Sequence, residues 1–407
     1  MTGLVEPLRE GWSTLPDMLV LGAKSRNRSH CFRLRLGTSV RLGQLRVDSP
    51  VTQSTSSQAA RPAAGRLRRW LTQLTIVSAY AYPLALIATW LALGQVGESY
   101  WVTAALLYAP RVGFALPLLL LVPALLILRL RRLLWTQGVA LLICLFPLMG
   151  LVLPGFSDSG DPTLKLLTFN VGGEQAGAEA LLRDIEAEGA DVVLLQEANP
   201  WEGELLEGLK RRYPHTHAST QFMLGSRYPI VEATDPPRVP FFGRQRSPRF
   251  MRYVVDTPLG KLAIYNVHPL SPRGTLNIGR FRDTFHQVRT GKFLEGDAEA
   301  DVTANAALRS NQVALVAKMA QAEQLPVLIA GDTNTPGLSP AFRRHLGQYR
   351  DAFRRASYGF GYTYPQRLPF LRLDRVLASP ELGFCSFTLG CADSSDHFCV
   401  VTEVVKL

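Results

Sequence analysis

Three long stretches without a charged side chain constrain this chain more than any other feature of its sequence. Residues 70–97, 112–128 and 133–157 contain no Asp, Glu, Lys or Arg. A helix that crosses the hydrocarbon core of a bilayer needs about 20 apolar residues, within a range of about 17–25. Helices of soluble proteins normally carry charge on at least one face. The sequence therefore predicts three transmembrane helices, at about 71–93, 112–129 and 134–154.

Basic residues at the ends of these stretches predict how the helices are oriented. Lys and Arg favour the cytoplasmic side of short loops. One basic group precedes the first stretch and a second lies between the second and the third: Arg66, Arg68 and Arg69, then Arg129, Arg131 and Arg132. Both groups place the N-terminus in the cytoplasm, and three spans then place everything after Pro154 outside it. We expect an integral protein of a bacterial-type inner or plasma membrane with an extracytoplasmic C-terminal part.

The net charge of +11 belongs almost entirely to the membrane part. Residues 1–159 contain 16 basic and 6 acidic residues, a net of +10, which leaves 28 basic and 27 acidic residues in 160–407, a net of +1. A nearly neutral C-terminal part lacks the overall positive charge that attracts nucleic acid. Recognition of DNA or RNA would therefore require a local basic patch.

The composition along the chain divides it into four regions. Residues 1–65 lack a sustained apolar period and predict a disordered cytoplasmic tail. The predicted spans occupy 66–155, and the Gly, Ser, Asp and Pro of 156–163 indicate a short linker. From 164 to 407 apolar strands alternate with helical periods, which predicts a soluble α/β domain.

Polar residues of catalytic type recur where the predicted strands of this domain end. Strand ends are positions from which a sheet holds side chains around a common cleft. Taken singly, each residue has an ordinary explanation, such as a turn cap, a core histidine or an Asx turn. Together they indicate one site, formed by Asn170, Glu197, His268, Asp332, Asn334, Asp374, Asp396 and His397.

This series of residues resembles the endonuclease/exonuclease/phosphatase superfamily, which has the DNase I-like fold. The matching segments are Thr168-Phe169-Asn170, Gln196-Glu197, Ser226-Arg227-Tyr228-Pro229-Ile230, Asn266-Val267-His268, Gly331-Asp332-Thr333-Asn334, Arg372-Leu373-Asp374-Arg375 and Ser395-Asp396-His397. The resemblance implies a four-layer α/β/β/α sandwich over 164–407, preceded by about three transmembrane helices. It also implies metal-dependent hydrolysis of a phosphoester.

The resemblance assigns three residues to a metal ion. Glu197 would be the principal ligand of Mg²⁺, with Asn170 and Asp396 beside it, and Mn²⁺ is an alternative ion. Mg²⁺ prefers a few oxygen ligands together with water and phosphate oxygens. Many nucleases of the superfamily carry an acidic residue two positions after the asparagine, where this chain has Gly172. The resemblance therefore favours one metal ion over two.

The resemblance also assigns roles in the reaction to the five remaining residues. Asp332 would orient or deprotonate the attacking water, and Asn334 would hold the phosphate or that aspartate. His397 would contact the phosphate while Asp374 fixes its tautomer. His268 would stabilise developing charge or protonate the leaving oxygen.

The sequence leaves three functions open. The first is a membrane-anchored, Mg²⁺-dependent phosphodiesterase or nuclease, and the second is the same chemistry on a phospholipid head group, as in a sphingomyelinase, or on an inositol phosphate. The third is a membrane scaffold that kept the fold without catalysis. Two further features are compatible with each of these substrates. The arginine run contains Arg244, Arg246, Arg249 and Arg252, and it could contact nucleic acid, anionic lipid or only solvent. The polar stretch 271–305 could be a substrate loop.

Cysteine usage leaves room for a single disulfide. The five cysteines show no CxxC or zinc-type spacing. Cys385, Cys391 and Cys399 lie close together in sequence, and one pair among them can be oxidised if the domain is outside the cytoplasm.

Overall fold

The computed structural model describes residues 62–199, 203–272 and 297–407. The predicted disordered tail lies outside these residues except for 62–65, which begin the first helix. Most of the polar stretch 271–305 also lies outside them. Both interpretations therefore stay predictions.

Four helices precede the α/β part within the described residues. They are α1 (Pro62–Gln95), α2 (Trp101–Tyr108), α3 (Leu118–Ile127) and α4 (Leu134–Ile143). Short 3₁₀ helices adjoin them at Gly97–Ser99, Arg111–Ala115 and Arg131–Leu133, and a π-helical turn follows α4 at Cys144–Leu148.

Two of the described helical stretches, Gly65–Gln95 and Arg131–Leu148, are long and apolar enough to cross a membrane singly. The predicted middle span, 112–129, falls in the second member of a bent pair of helical stretches, because Trp101–Tyr108 and Arg111–Ile127 meet at an angle of 95°. Pro110 lies at this break, and proline disfavours helical geometry at the residue before it. The described chain therefore has two such helices, or three if the bent pair counts as one.

The described residues from 163 onward form two six-stranded mixed sheets and a small hairpin. The first sheet has the order β13-β14-β1-β2-β4-β3, with β1 Thr163–Asn170, β2 Val192–Gln196, β3 His215–Ser219, β4 Phe222–Ser226, β13 Leu382–Gly390 and β14 Cys399–Lys406. The second has the order β11-β12-β10-β9-β8-β5, with β5 Ile230–Thr234, β8 Phe250–Thr257, β9 Gly260–Val267, β10 Val327–Asp332, β11 Arg350–Asp351 and β12 Asp374–Ala378. The hairpin pairs β6 (Val239–Phe241) with β7 (Arg244–Arg246).

Helices cover the outer faces of both sheets. The helices are α5 (Ala178–Glu188), α6 (Glu204–Arg212), α7 (Asp297–Gln321), α8 (Pro340–His345) and α9 (Ala352–Ala356). One apolar cluster joins the two sheets, a second joins the first sheet to α5 and α6, and a third joins the second sheet to α7 and α8. Because both faces of the central strands are covered, those strands are apolar along their whole length. The predicted four-layer α/β/β/α sandwich is confirmed.

Parallel pairing brings the ends of four strands to one edge of the sandwich. β1 and β2 run parallel with Asn170 opposite Gln196, and β9 and β10 run parallel with Ala330 opposite Asn266. A buried hydrogen bond of 2.7 Å from Gln196 Nε2 to Asn266 Oδ1 links the two sheets at this edge. The segments that follow these strands therefore meet in one place.

The N-terminal helices share an apolar cluster with the sandwich. Leu107, Tyr108 and Leu148 pack in the same cluster as Leu371 and Leu373, which precede β12. The helices are therefore part of the packing around the C-terminal part of the chain.

Candidate active site

Asp332, the last residue of β10, lies at the centre of the predicted site. Its Oδ1 accepts the backbone N–H of Asn334 at 2.8 Å, and its Oδ2 accepts Nδ2 of Asn170 at 3.1 Å. The Nε2 atoms of His268 and His397 lie 3.7 and 3.9 Å from that same Oδ2. One oxygen of Asp332 is thus held by the backbone, while the other faces two imidazoles and an amide.

Gly331 allows Asp332 to take this position. Its φ is 142°, and a Cβ added there would lie 2.1 Å from the carbonyl oxygen of Val267. Only glycine fits so close an approach of β10 to the end of β9.

Glu197 occupies the solvent-facing side of the same group. It follows β2 with a φ of 54°, a left-handed conformation that few residues other than glycine adopt. Its Oε1 accepts Nδ2 of Asn170 at 3.1 Å and lies 3.2 Å from Nε2 of His268. The side chain is 31% exposed, so Glu197 borders the open part of the site.

His397 and Asp374 form a buried pair beside Asp332. His397 Nδ1 lies 2.8 Å from Asp374 Oδ2, and both side chains are 1% exposed. Burial opposes protonation of His397, but the Asp374 carboxylate outweighs it and raises the pKa of the imidazole to about 9. The ring of Tyr364 covers the imidazole, with the ring centres 4.7 Å apart. His397 therefore directs Nε2 towards Asp332.

Two residues that the sequence did not place in the catalytic site orient His268. Its Nδ1 lies 2.7 Å from Oε1 of Gln221, which also accepts Nη2 of Arg249 at 3.3 Å. Nε of Arg249 donates to the His268 carbonyl at 2.9 Å. Nη2 of Arg249 also lies 3.2 Å from Nδ1, so both residues hold that side of the ring and Nε2 faces the carboxylates. Gln221 gave no signal in the sequence.

The arginine run that contains Arg249 divides in the structure. Arg252 forms ion pairs with Glu232 and Glu323, whereas Arg244 and Arg246 are exposed on β7. The four arginines therefore do not act as one surface for phosphate groups.

Asp396 lies beside the end of β1. The hydroxyl of Ser395 donates to the Asn170 carbonyl at 2.7 Å, which holds the loop against that strand. Asp396 Oδ1 lies 3.3 Å from the position of a Cβ at Gly172, and the residue is exposed. The other seven predicted residues are connected through Asp332 and its neighbours, whereas Asp396 is at the rim.

A disulfide flanks the loop that contains Asp396 and His397. Cys391 and Cys399 are bonded, with their Cα atoms 5.5 Å apart. Among the described residues Cys144 and Cys385 are free. The structure thus selects one of the pairs that the sequence left open.

The residues at this centre suit a hard divalent cation. Burial and the neighbouring Asp374 raise the pKa of Asp332, although His397 and His268 oppose that shift. One ligand atom from each of Asp332, Asp374 and His397 lies within 4.8 Å of the others. Carboxylate oxygens are the ligands that Mg²⁺ prefers, and a cation beside them would offset the cost of burying negative charge.

Asn170 is oriented as a hydrogen-bond donor in this structure. Its Nδ2 faces Glu197 and Asp332, and its Oδ1 accepts the backbone N–H of Gly172 at 3.0 Å. To bind a metal ion, Asn170 would have to direct Oδ1 towards it, which requires a 180° flip of the side-chain amide.

The N-terminal helices reach the site through Tyr108, which sequence patterns did not indicate. Its hydroxyl donates to the backbone carbonyl of Asn334 at 2.8 Å, across a separation of 226 residues. The guanidinium of Arg309 lies 5.7 Å from the centre of its ring. The end of α2 thus supports the turn that holds Asp332.

The four-layer sandwich and its carboxylate and imidazole centre define a class of protein, the metal-dependent phosphoester hydrolases. Residues 167–397, more than half of the 407 residues, match the Endonuclease/Exonuclease/phosphatase family. The chain belongs to this family. The resemblance inferred from its motifs is confirmed for the superfamily, and the interpretation as a non-catalytic scaffold is set aside.

Several solved structures are similar to this chain. An endonuclease/exonuclease/phosphatase from Beutenbergia cavernae DSM 12333 is 18% identical over 60% of this chain and 72% of its own, with a TM-score of 0.43. A beta toxin from Staphylococcus aureus is 17% identical over 59% of this chain and 99% of its own, with a TM-score of 0.42. A mutant of that beta toxin with bound magnesium ions is 16% identical over 59% and 99%, with a TM-score of 0.40. No curated protein matches the chain.

Proposed function

We propose that this enzyme is a membrane-anchored, Mg²⁺-dependent phosphodiesterase, with nucleic acid as the first substrate class to test. The observation that carries the proposal is the position of Asp332 Oδ2, which faces two imidazoles and the Asn170 amide while Oδ1 is held by the backbone. A fixed carboxylate beside two groups that can carry protons suits general acid–base chemistry on a phosphoester.

Asp332 is the proposed general base. The pKa of Asp332 is raised towards neutral pH, and a general base is most effective when its pKa lies near the pH of the reaction. Oδ2, the oxygen that the backbone does not hold, would take the proton of the attacking water. The side chain of Asn334 donates to the Pro269 carbonyl at 3.0 Å, whereas its backbone N–H donates to Asp332. Of the two roles left open for Asn334, the geometry therefore favours holding the aspartate over binding the phosphate.

The two histidines are proposed to act on the phosphate from Nε2. His397, with its pKa raised to about 9, is cationic at neutral pH and would bind a phosphate oxygen. His268 would stabilise developing charge or protonate the leaving oxygen, since Gln221 holds its other nitrogen. Asp374 positions His397 and does not contact the substrate.

Glu197, Asn170 and Asp396 are the proposed ligands of Mg²⁺. Glu197 is the most accessible of the connected carboxylates, and Asp396 would approach from the rim. When bound, the ion supplies Lewis acidity and neutralises charge that develops on the phosphate.

Anchoring in a membrane is supported by the surface of the N-terminal helices. Large apolar side chains face outwards on them, including Leu84 at 65%, Leu120 at 77% and Ile127 at 78% exposure. Apolar patches of this kind on a soluble protein would promote aggregation. We propose three spans, in which α3 is the middle one and α2 lies against the sandwich.

A phospholipid head group is the second candidate substrate. Tyr108, at the end of α2, contacts the turn that holds Asp332, so the site lies next to the proposed membrane part. The near neutrality of 160–407 also removes a general attraction to nucleic acid.

A substrate panel tests the proposal on the purified full chain. Plasmid DNA, a sphingomyelin analogue, bis-p-nitrophenyl phosphate and p-nitrophenyl phosphate are each supplied with Mg²⁺ or with EDTA. We expect turnover of diesters with Mg²⁺ and none with EDTA. Preference for the sphingomyelin analogue over DNA would select the second candidate, and hydrolysis of the monoester alone would contradict the proposed phosphodiesterase activity.

A further inference from the structure

Apart from the active site, a cavity of about 570 Å³ lies between the N-terminal helices and the sandwich. The helices contribute an apolar wall that includes Trp90 of α1 and Phe146 and Met149 near the end of α4. The opposite wall comes from α8, α9 and β12. This cavity lies behind the active site, because Asp374 and Arg375 are neighbours on β12 and their side chains point to opposite faces.

The charge around this cavity is strongly unbalanced. Six arginines line it: Arg111, Arg343, Arg354, Arg355, Arg372 and Arg375. Asp351 is the one carboxylate among the described lining residues. Arg355 is occupied by Asp158, which lies outside the cavity wall. Five guanidinium groups therefore surround a single carboxylate.

Asp351 is already shared between two of these arginines. Arg372 donates to both of its oxygens at 2.8 Å, and Nη1 of Arg375 donates to Oδ2 at 3.4 Å. A carboxylate bonded in this way cannot also neutralise Arg111, Arg343 and Arg354. An excess of positive charge remains at the cavity.

Two guanidinium groups in the wall are buried without full hydrogen bonding. Arg375 is 1% and Arg111 is 6% exposed, and Nε of each has no hydrogen-bond partner among the described residues. Burial and the neighbouring Arg372 push the pKa of Arg375 well below its usual range, against the opposing effect of Asp351. Buried positive charge that is incompletely hydrogen-bonded is costly unless an anion compensates it.

The location of the cavity indicates which class of anion it could bind. Trp90 lies close to the end of the first candidate span at Gln95, and Phe146 lies close to the end of the second at Leu148. The cavity therefore lies where both apolar helices end and charged residues begin. In a membrane protein this boundary corresponds to the level of the phospholipid head groups.

We propose that this cavity binds the phosphate of an anionic phospholipid, with the lipid chains against the apolar wall. Arginine binds phosphate oxygens through paired N–H groups, and the exposed Arg343 and Arg354 offer such groups. Nη1 and Nη2 of Arg111 donate to the carbonyls of Leu148 and Leu107, which leaves its Nε–H for the phosphate. The bound lipid would bridge Arg111 of the helices and Arg375 of β12. The proposal concerns a site distinct from the catalytic centre and does not depend on which phosphoester is hydrolysed there.

Lipid binding is measured on the full chain in an uncharged detergent, with EDTA present so that no hydrolysis occurs. The probes are dihexanoylphosphatidylglycerol, dihexanoylphosphatidylcholine, which has the same chains and no net charge, and inorganic phosphate. Because a ligand of the native state raises the unfolding temperature, Tm is followed as each probe is added. We expect a rise in Tm with the phosphatidylglycerol that exceeds the rise with either other probe.

The variant R343Q/R354Q removes two exposed guanidinium groups of the wall, and R344Q removes an exposed neighbour outside it. We expect R343Q/R354Q to keep its Tm without lipid and to bind the phosphatidylglycerol about tenfold or more weakly, since charge-assisted hydrogen bonds are lost. R344Q should bind like the unaltered chain. Equal effects of the two lipids, an equal effect of inorganic phosphate, or unchanged binding by R343Q/R354Q would each overturn the proposal.

Discussion

At the scale of single residues, the protonation of His397 depends on one neighbour. Asp374 accepts its Nδ1–H at 2.8 Å and raises the pKa to about 9 in spite of burial. Because this pKa exceeds the ordinary value of 6.5, the pair stabilises the fold fully below about pH 6.5 and loses its effect as the pH rises through about 9.

We therefore expect D374N to lower the pKa of His397 and to reduce kcat by about a hundredfold or more, the range of general acid–base effects. The pKa is measured by NMR on the metal-free protein, and kcat is measured with bis-p-nitrophenyl phosphate. D393N, which alters an exposed carboxylate of the same loop, is the matched control. A His397 pKa that is equal in D374N and D393N would contradict the assignment.

Sequence reasoning identified residues that lie in short motifs and missed those that reach the site through space. Asn170, Glu197, His268 and Asp332 stand at strand ends, where their place in the sequence predicts their place in the sheet. Gln221 belongs to the turn between β3 and β4, and its contact with His268 arises only from the packing of the two sheets. The donor orientation of Asn170 also depends on contacts that no sequence pattern contains.

At the scale of elements, the predicted linker 156–163 is attached to the sandwich through Asp158. Its carboxylate accepts the backbone N–H of Phe384 at 3.0 Å and pairs with Arg350 and Arg355. Burial alone would raise the pKa of Asp158, but Arg355, the Phe384 N–H and Arg350 outweigh burial and hold it well below its usual range.

We expect D158N to reduce the free energy of unfolding by about 2 kcal/mol at neutral pH, a value that allows for the partial exposure of both arginines. A depressed pKa stabilises the fold above the ordinary value of 3.8, and this contribution disappears as the pH falls below it. Urea unfolding measured at neutral pH and near pH 3 checks both statements. A difference between the unaltered chain and D158N that stays the same at both pH values would contradict the account.

The Cys391–Cys399 disulfide closes the loop that carries Asp396 and His397. We expect C391S/C399S to lose about 2–3 kcal/mol of unfolding free energy, the entropy of closing so short a loop. Non-reducing mass spectrometry checks the pairing, and C385S is the matched control because that cysteine is free. Equal stability of the double variant and C385S would show that the disulfide does not constrain this loop.

Local sequence patterns predicted the helices and strands better than they predicted the breaks between helices. The spacing of Ala178, Leu181, Leu182 and Ile185 indicates one apolar helical face, and all four are buried on α5. Helix α2 and its 95° bend to Arg111–Ile127 were missed, because α2 lies between the predicted spans 71–93 and 112–129. Its contact with the sandwich through Tyr108 joins residues that are remote in sequence.

At the scale of the whole molecule, the path of the N-terminal helices supports three passes. The hydroxyl of Ser339, before α8, donates to Glu98 beyond the end of α1 at 2.6 Å, and Val152 beyond α4 pairs with Gly359. Both α1 and α4 therefore end at the sandwich, and their basic residues lie at the opposite end of each helix. α3 connects the sandwich side to the start of α4, so it runs in the opposite direction.

Reporter fusions test this topology. Alkaline phosphatase, which is active only outside the cytoplasm, is attached after Leu407 of the full chain, and in a matched fusion it is attached after Leu130. We expect the first fusion to be active and the second to be silent. A silent fusion after Leu407 together with an active fusion after Leu130 would show that α2 and α3 form a re-entrant pair, with the catalytic part in the cytoplasm.

The central claim is that Glu197 holds a magnesium ion on which hydrolysis by Asp332 and the two histidines depends. The most direct measurement is the rate of bis-p-nitrophenyl phosphate hydrolysis as Mg²⁺ is added, compared among the unaltered chain, E197Q and E188Q, whose residue lies at the end of α5. We predict saturable activation of the unaltered chain and E188Q, and for E197Q a rate at least about a hundredfold lower that higher Mg²⁺ only partly restores. Full activity of E197Q at the same Mg²⁺ concentration would contradict the account.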